Sequence, residues 1–279
     1  MEEKSGNEHI LNASRDSREA SLSNLNNKNS SKKNIIIAVI TLIAIAAIIA
    51  LILVIVLRKS SDDSEDKLVT GIISCVYDIS SNMTETKILG DEFHKTSELN
   101  IYINGNKIKF SKVYKFPIYG INKVEFKLYN SINMSYMFKG VSSLKSVEMI
   151  SSNNEKIVSM LSTFENCINF ESILISGFSA NELKTMKKSF YKTNLKSIDL
   201  INFNTNNLED ISYMFASTSL EEFEFPNINT ENVVDMSYLF CNCTSLKRLN
   251  ISKINTSKAE NLSHMYEGCK SIASLDLTL

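Results

Sequence analysis

The sequence predicts an α/β solenoid tethered to a membrane, in which each repeat contributes one short helical turn and one strand of a parallel sheet. Three observations lead to this prediction. An uncharged apolar run occupies residues 35–57, aromatic residues recur every 25 or 26 residues over the C-terminal half, and an alternating apolar pattern follows each of those aromatic residues. These features divide the 279 residues into a tail, an anchor, a linker, a cap and a repeat domain.

The N-terminal tail is polar. Residues 1–33 contain no aromatic side chain and are rich in Ser, Asn, Glu and Lys. Such a composition offers little apolar surface to offset the entropy lost on ordering. We therefore expect a disordered tail.

The anchor is the apolar run at residues 35–57, IIIAVITLIAIAAIIALILVIVL, in which Thr41 is the single polar residue. As a helix rising about 1.5 Å per residue it would span roughly 34 Å, enough to cross a bilayer. A buried core helix would ordinarily have a polar face. A cleaved signal peptide would have a shorter apolar run and a small-residue cleavage site, where this chain has RKSSDDSED. The sequence therefore favours an uncleaved signal anchor that forms one transmembrane helix.

The orientation of the anchor follows from the basic residues near its two ends, because Lys and Arg favour the cytoplasmic side. Five precede the anchor and three follow it: Arg15, Arg18, Lys28, Lys32 and Lys33, then Arg58, Lys59 and Lys67. We expect the N-terminus in the cytoplasm and the repeats outside the cell. Residues 58–67 then form a charged juxtamembrane linker.

The repeat is the strongest signal in the sequence. Six aromatic residues are spaced by 26, 26, 25, 25 and 26 residues: Phe138, Phe164, Phe190, Phe215, Phe240 and Tyr266. A large aliphatic residue stands four positions before each, a spacing that places both side chains on one face of a helical turn. These are Met134, Met160, Met186, Ile211, Met236 and Leu262.

Each aromatic residue is followed, five or six positions later, by the pattern L-x-x-L-x-L, whose last positions alternate as in a strand. A helical turn and a strand cannot bury their apolar sides alone, so neighbouring units must stack. Residues 130–279 are thus predicted to form six stacked repeats. The repeat from Met186 to Leu200 lacks a cysteine and is one residue short, which we expect to alter a local turn.

The segments NTENVVDMSYLFCNCTSLKRLNI and NTSKAENLSHMYEGCKSIASLDL resemble the BspA-type leucine-rich repeats of microbial surface proteins. The shared pattern is N-T-x-x-V-x-x-M-S-x-M-F-x-x-C-x-S-L-x-x-L-x-L, and the resemblance covers residues 130–279. It implies a leucine-rich repeat stack that acts as a surface-exposed binding or adhesion module. It implies no shared catalytic residues.

The segment before the repeats, residues 68–129, contains several strand-like runs and the turn pair Asn104–Gly105. A solenoid needs its first layer covered. We therefore predict a small β-rich cap whose last strand contains Val124, Phe126 and Leu128. At the other end the sequence stops at Leu279 without a polar cap. Two explanations are that the sequence is truncated or that another molecule covers the end of the stack, and truncation is favoured.

Three cysteines occupy one repeat position, three residues after the aromatic residue: Cys167, Cys243 and Cys269. The first interpretation is a small buried residue in a tight turn. The second is a disulfide between Cys243 and Cys269, because strands in neighbouring repeats lie about 5 Å apart, within disulfide reach. Cys75 and Cys241 have no assigned partner.

Glycosylation sequons on the expected outer side begin at Asn82, Asn133, Asn242, Asn250, Asn255 and Asn261. Asn12 and Asn29 in the tail also match the motif, so the motif alone does not decide the topology.

The outward positions of the repeat strands form the open face of the solenoid. The first such position alternates in charge, which predicts a structural ladder of ion pairs. It reads Lys145, Glu171, Lys196, Glu221, Lys247 and Ala273. The second carries four carboxylates that form either a candidate binding face for a basic ligand or a cation, or a solvated acidic surface. These are Glu148, Asp199, Glu224 and Asp276.

The remaining composition narrows the function. The net charge is −1 and no basic stripe is present, which argues against nucleic-acid binding. The three histidines, His9, His94 and His264, have no partner at metal or triad spacing, so neither an enzyme nor a cofactor is predicted. We predict a membrane-anchored cell-surface recognition or adhesion protein that binds a protein or glycan through the repeat face. A structural coat without a specific ligand and the ligand-binding part of a receptor are the alternatives.

Overall fold

A computed structural model describes residues 68–80, 85–95 and 99–276. The predicted tail, anchor and linker lie outside these ranges. Within them, no helix has the length and apolar character needed to cross a membrane.

The described residues form fourteen strands. In chain order these are β1 (Gly71–Ile79), β2 (Glu85–Lys87), β3 (Leu99–Ile103), β4 (Asn106–Ile108), β5 (Val113–Lys115), β6 (Gly120–Leu128), β7 (Ile132–Asn133), β8 (Leu144–Ser151), β9 (Ile157–Ser159), β10 (Ser172–Ser176), β11 (Ser197–Ile201), β12 (Glu222–Glu224), β13 (Arg248–Asn250) and β14 (Ser274–Asp276). Seven strands form one sheet in the order β11-β10-β8-β1-β6-β3-β4, and β12-β13-β14 form a second. The pairs β2-β5 and β7-β9 complete the sheets.

The cap joins the repeats through β1, which pairs antiparallel with β6 on one side and with β8 on the other. Its side chains alternate, so that Ile73, Cys75 and Tyr77 are fully buried. Val124, Phe126 and Leu128 lie in β6, and β1 lies between β6 and the first repeat strand, β8. The sequence pattern of β1 identifies a strand but not its position in the sheet.

The repeat strands stack in parallel, in the series β8-β10-β11 and again in β12-β13-β14. The predicted solenoid with a parallel sheet is therefore confirmed. Its centre is a column of buried phenylalanine rings, each nearly parallel to the next at 5.5 to 5.6 Å between centroids. The column consists of Phe138, Phe164, Phe190, Phe215 and Phe240.

The predicted helical turns are wrong, and no helix occurs among the described residues. The chain instead forms successive β-turns, the first of which is closed by the Met137 N–H donating to the Met134 carbonyl at 3.0 Å. Tyr136 and Gly140 have φ angles of 61° and 70°. Residues in this left-handed region cannot continue a right-handed helix.

The backbone amides of these turns alternate between two directions. Met137 donates within its own coil, whereas Phe138 donates to the Thr163 carbonyl of the next coil at 2.9 Å. We call the segment from Met134 to Phe138, together with its equivalents in the later coils, the turn spine. The equivalent segments start at Met160, Met186, Ile211 and Met236. The hydrogen bond to the next coil recurs at 2.9 to 3.0 Å from Phe164, Phe190, Phe215 and Phe240. The turn spine therefore joins successive coils.

The coils differ in length by one residue, in the turn between the aromatic residue and the strand. The predicted irregularity after Phe190 is present, and the coil of Phe215 shares it. In these coils Thr193 and Thr218 replace the cysteine, and each hydroxyl donates to the carbonyl of its own phenylalanine at 2.8 Å. Cys167 instead donates to the phenylalanine carbonyl of the preceding coil. Both short coils thus close this turn internally.

Candidate functional site

The alternating ladder of charges on the strand face is confirmed within each of the two sheets, but among the described residues no ion pair joins Lys196 to Glu221. Lys145 and Lys196 each contact Glu171, at 3.0 and 3.1 Å, and Lys247 contacts Glu221 at 2.8 Å. The hydrogen bonds from Lys145 and Lys196 lower the pKa of the Glu171 carboxyl. The Lys145–Glu171 pair is half-buried and the Lys247–Glu221 pair is exposed, and such pairs at a protein surface contribute at most about 1 kcal/mol each.

The predicted acidic row lies along one line across the strands, but it is not continuous. The register reads Glu148, Leu174 and Asp199 in the first sheet, then Glu224, Asn250 and Asp276 in the second. Uncharged residues separate the carboxylates within each sheet, and Asp199 and Glu224 lie on opposite sides of a break between the sheets. The structure therefore does not gather Glu148, Asp199 and Glu224 into one patch.

The break lies between β11 and β12, which are consecutive strands that do not pair. In other coils the backbone N–H of the first outward residue donates to the backbone carbonyl at the same position of the preceding coil. The Lys247 N–H donates to the Glu221 carbonyl in this way at 2.7 Å. Among the described residues no such bond joins Glu221 to Lys196. Pro226 follows β12 at a position equivalent to Ile201 and lacks the N–H that a ladder requires.

A cleft of about 650 Å³ opens beside this break, beyond the carboxyl ends of β11 and β12. We call it the amide cleft, because four of its nine lining residues are asparagines. It is lined by Leu200, Asn202, Phe203, Asn204, Thr205, Asn227, Ile228, Asn229 and Lys253. Its volume is typical of small-molecule sites, which occupy roughly 300–1,000 Å³.

The asparagines of the amide cleft fall into two kinds. Asn204 and Asn229 each accept a hydrogen bond from the backbone N–H two residues later, at 3.0 and 2.9 Å, and so fix their own turns. Asn202 and Asn227 are exposed, and their side chains form no hydrogen bond with any residue that the structure describes. These two amides are available to a ligand.

The rest of the cleft is apolar or charge-balanced. Leu200, Phe203 and Ile228 are buried beneath the amides. Lys253 is paired with Glu224 at 2.8 Å, so its positive charge is compensated. The amide cleft therefore combines free donors and acceptors with an apolar base and little net charge. This suits a neutral ligand with many hydroxyl groups.

The two cysteines predicted to pair are free thiols in the structure. Cys243 and Cys269 donate to the phenylalanine carbonyls of their preceding coils at 3.1 and 3.0 Å. The neighbouring Cys269 thiol and burial raise the pKa of Cys243, whereas the neighbouring Cys243 thiol lowers the pKa of Cys269. The disulfide stays a prediction.

Most of the sequon asparagines have a structural role. Asn133, Asn250, Asn255 and Asn261 each accept a hydrogen bond from the backbone N–H of the serine two residues later, at 2.9 to 3.1 Å. Two aspartates, Asp210 and Asp235, form the same turn with Ser212 and Ser237. The N-x-S triplets are thus explained by turn chemistry.

Two sequons differ from these. Asn242 is exposed, with a φ angle of 58°. Asn82 lies outside the described residues. Glycosylation stays a prediction at all six positions.

The amide cleft was not predicted from the sequence. Asn202 and Asn227 do not stand out in an asparagine-rich chain, and Lys253 follows its strand as an ordinary surface residue. The available signal was Pro226, one of two prolines in the chain, because proline interrupts a sheet ladder.

Comparison with known proteins gives one match. A family model described as "Mycoplasma protein of unknown function, DUF285" matches residues 132–223 and 216–278. No curated protein and no solved structure matches the chain. The two matched ranges together cover more than half of the 279 residues, and the chain therefore belongs to the DUF285 family.

Proposed function

We propose that this protein is a membrane-anchored recognition or adhesion protein of the cell surface, and that its repeat domain binds a glycan in the amide cleft. The observation that carries the proposal is the pair of unbonded amides, Asn202 and Asn227, above an apolar base. A sugar offers hydroxyl groups that both donate and accept, around a ring with apolar faces. An amide also offers both a donor and an acceptor.

The size and charge of the cleft favour a glycan over a protein ligand. A standard protein interface buries about 800 Å² on each partner and centres on apolar or aromatic side chains. The amide cleft, which nine residues line, is smaller than such an interface, and its exposed residues are polar. A basic peptide would need unpaired carboxylates, whereas Glu224 already contacts Lys253.

The surface location rests on the apolar run at residues 35–57 and on the basic residues before it. The resemblance of the repeats to BspA-type leucine-rich repeats of microbial surface proteins supports the same location. A neutral glycan is a ligand that such a surface would meet outside the cell.

Protease treatment of intact cells tests the location. With one tag at the N-terminus and one after Leu279, external protease should remove the C-terminal tag and leave the N-terminal tag. The surface location is overturned if the C-terminal tag survives on intact cells and is lost only after the cells are permeabilised.

Glycan binding by the full chain in lipid nanodiscs tests the ligand. The chain should bind neutral oligosaccharides that are immobilised on a glycan array. The double variant Asn202→Ala, Asn227→Ala should bind the tightest of these oligosaccharides about 5- to 150-fold more weakly. The estimate assumes two lost hydrogen bonds of about 0.5–1.5 kcal/mol each.

The matched control is the double variant Asn130→Ala, Asn181→Ala. Both residues are exposed, lie outside the amide cleft and have side chains that form no hydrogen bond among the described residues. The control should keep full affinity. Equal weakening in both variants, or retention of acidic peptides in place of glycans, would contradict the proposed ligand.

A further inference from the structure

A second unusual surface lies in the cap, in the turn between β5 and β6 and at the start of β6. Ile118, Tyr119 and Ile121 are exposed to 59, 69 and 66 %. Single exposed apolar residues are common, but three within four positions form a contiguous apolar surface that is a candidate for contact with a partner. We call these three residues the apolar tip.

The apolar tip is held outward by a buried amide. Asn122 is only 4 % exposed, and its Nδ2 donates to the carbonyls of Ile118 and Gly120 at 3.2 and 3.0 Å. Gly120 has a φ of 88°, which glycine adopts without strain. A buried amide is stable only with its hydrogen bonds made. The outward direction is therefore fixed by the fold.

We propose that the apolar tip rests in the headgroup region of the lipid bilayer that holds the anchor, a proposal that depends on the anchor in the proposed function. The connection from the anchor to β1 is residues 58–70, thirteen residues that reach at most about 43–47 Å when extended. The nine residues of β1 span about 30 Å. Gly120 pairs with Ile79 at the far end of β1. The connection is therefore long enough for the tip to reach the bilayer.

The chemistry of the tip matches this partner. Tyrosine favours the membrane–water interface, and aliphatic side chains enter the acyl boundary. Lys115 and Lys123 lie on either side of the tip in sequence and are exposed, and Asp78 is the exposed acidic residue opposite Ile121. Lys123 pairs with Glu125 at 3.3 Å, so the charges around the tip balance and the apolar side chains provide the contact with the bilayer.

The absence of tryptophan from the chain gives a direct test. The variant Tyr119→Trp places a single tryptophan in the tip of the full chain. It is reconstituted in vesicles of phosphatidylcholine and phosphatidylglycerol with brominated acyl chains, which quench tryptophan on contact. More than half of the emission should be lost relative to vesicles with unbrominated lipids.

The matched control is Ile168→Trp, at a 60 % exposed isoleucine in a repeat turn, whose emission should stay unchanged. Adding Ile118→Asp and Ile121→Asp to Tyr119→Trp should restore the emission. Flotation of the vesicles after an alkaline wash reports on the anchor separately. If the chain does not float, the anchor and this proposal are both overturned.

If the chain floats but Tyr119→Trp is not quenched, this proposal alone is overturned. The same conclusion follows if its emission shifts to shorter wavelength without quenching, because the tip is then covered by protein.

Discussion

Replacing Phe190 by alanine should lower the free energy of unfolding by about 3–5 kcal/mol, as large-to-small changes of buried aromatic residues do. The ring is fully buried and stacks on Phe164 at 5.5 Å and on Phe215 at 5.6 Å. Its removal leaves a cavity between two coils whose spacing is fixed by the turn spine, so the cavity cannot close. Urea denaturation of the full chain, followed by circular dichroism, measures the loss.

The control for this change is Ile168→Ala. Ile168 is 60 % exposed, so its truncation should alter stability by no more than about 0.5 kcal/mol. If Phe190→Ala and Ile168→Ala lower stability equally, the phenylalanine column does not hold the coils together.

Replacing Gly177 by alanine is expected to lower the free energy of unfolding by about 2–5 kcal/mol. The strain of a left-handed backbone contributes about 1–2 kcal/mol and overpacking contributes about 1–3 kcal/mol. Gly177 has a φ of 75°, and an added Cβ would lie 2.1 Å from the backbone oxygen of Ser151. Because the opposing atom belongs to the backbone, relief requires the two coils to move apart. The midpoint of urea denaturation should fall accordingly.

The variant Gly140→Ala separates the two causes. Gly140 has a φ of 70°, but no atom lies within 4 Å of the position of an added Cβ. Non-glycine residues occupy the equivalent place in other coils with φ near 60°, namely Asn166, Lys192, Ser217 and Asn242. Gly140→Ala should therefore lower the free energy of unfolding by less than Gly177→Ala does. Equal losses at the two glycines would show that the close approach to Ser151 contributes nothing.

The stacked architecture could be predicted from the sequence because it depends on a repeated pattern. The spacing from Phe138 to Tyr266 requires equivalent side chains to meet in neighbouring coils. The conformation within each turn could not be predicted, because a spacing of four residues brings Met134 and Phe138 into the core in successive β-turns as well as in a helix. The deciding feature is the left-handed backbone at Tyr136, and tyrosine does not signal it.

The strand face shows the same limit. The register of Glu148 with Leu174 and Asp199 follows from the repeat and could be read from the sequence. The loss of pairing before Glu224 could not, because it depends on how two short coils meet and on Pro226. The acidic row was therefore predicted as one surface, and the amide cleft beside the break was not predicted.

The turn spine keeps its hydrogen bonds to the next coil in coils of both lengths. The bond from Phe190 to Met214 and the bond from Phe138 to Thr163 are alike, although the coil of Phe190 is one residue shorter than the coil of Phe138. Single-residue insertions and deletions are thus absorbed in the turn that follows the aromatic residue. A change of one residue in that turn therefore alters a single strand edge, while the hydrogen bonds between coils are kept. That property lets this chain expose an unpaired strand edge at β12 while its aromatic column continues through the same coils.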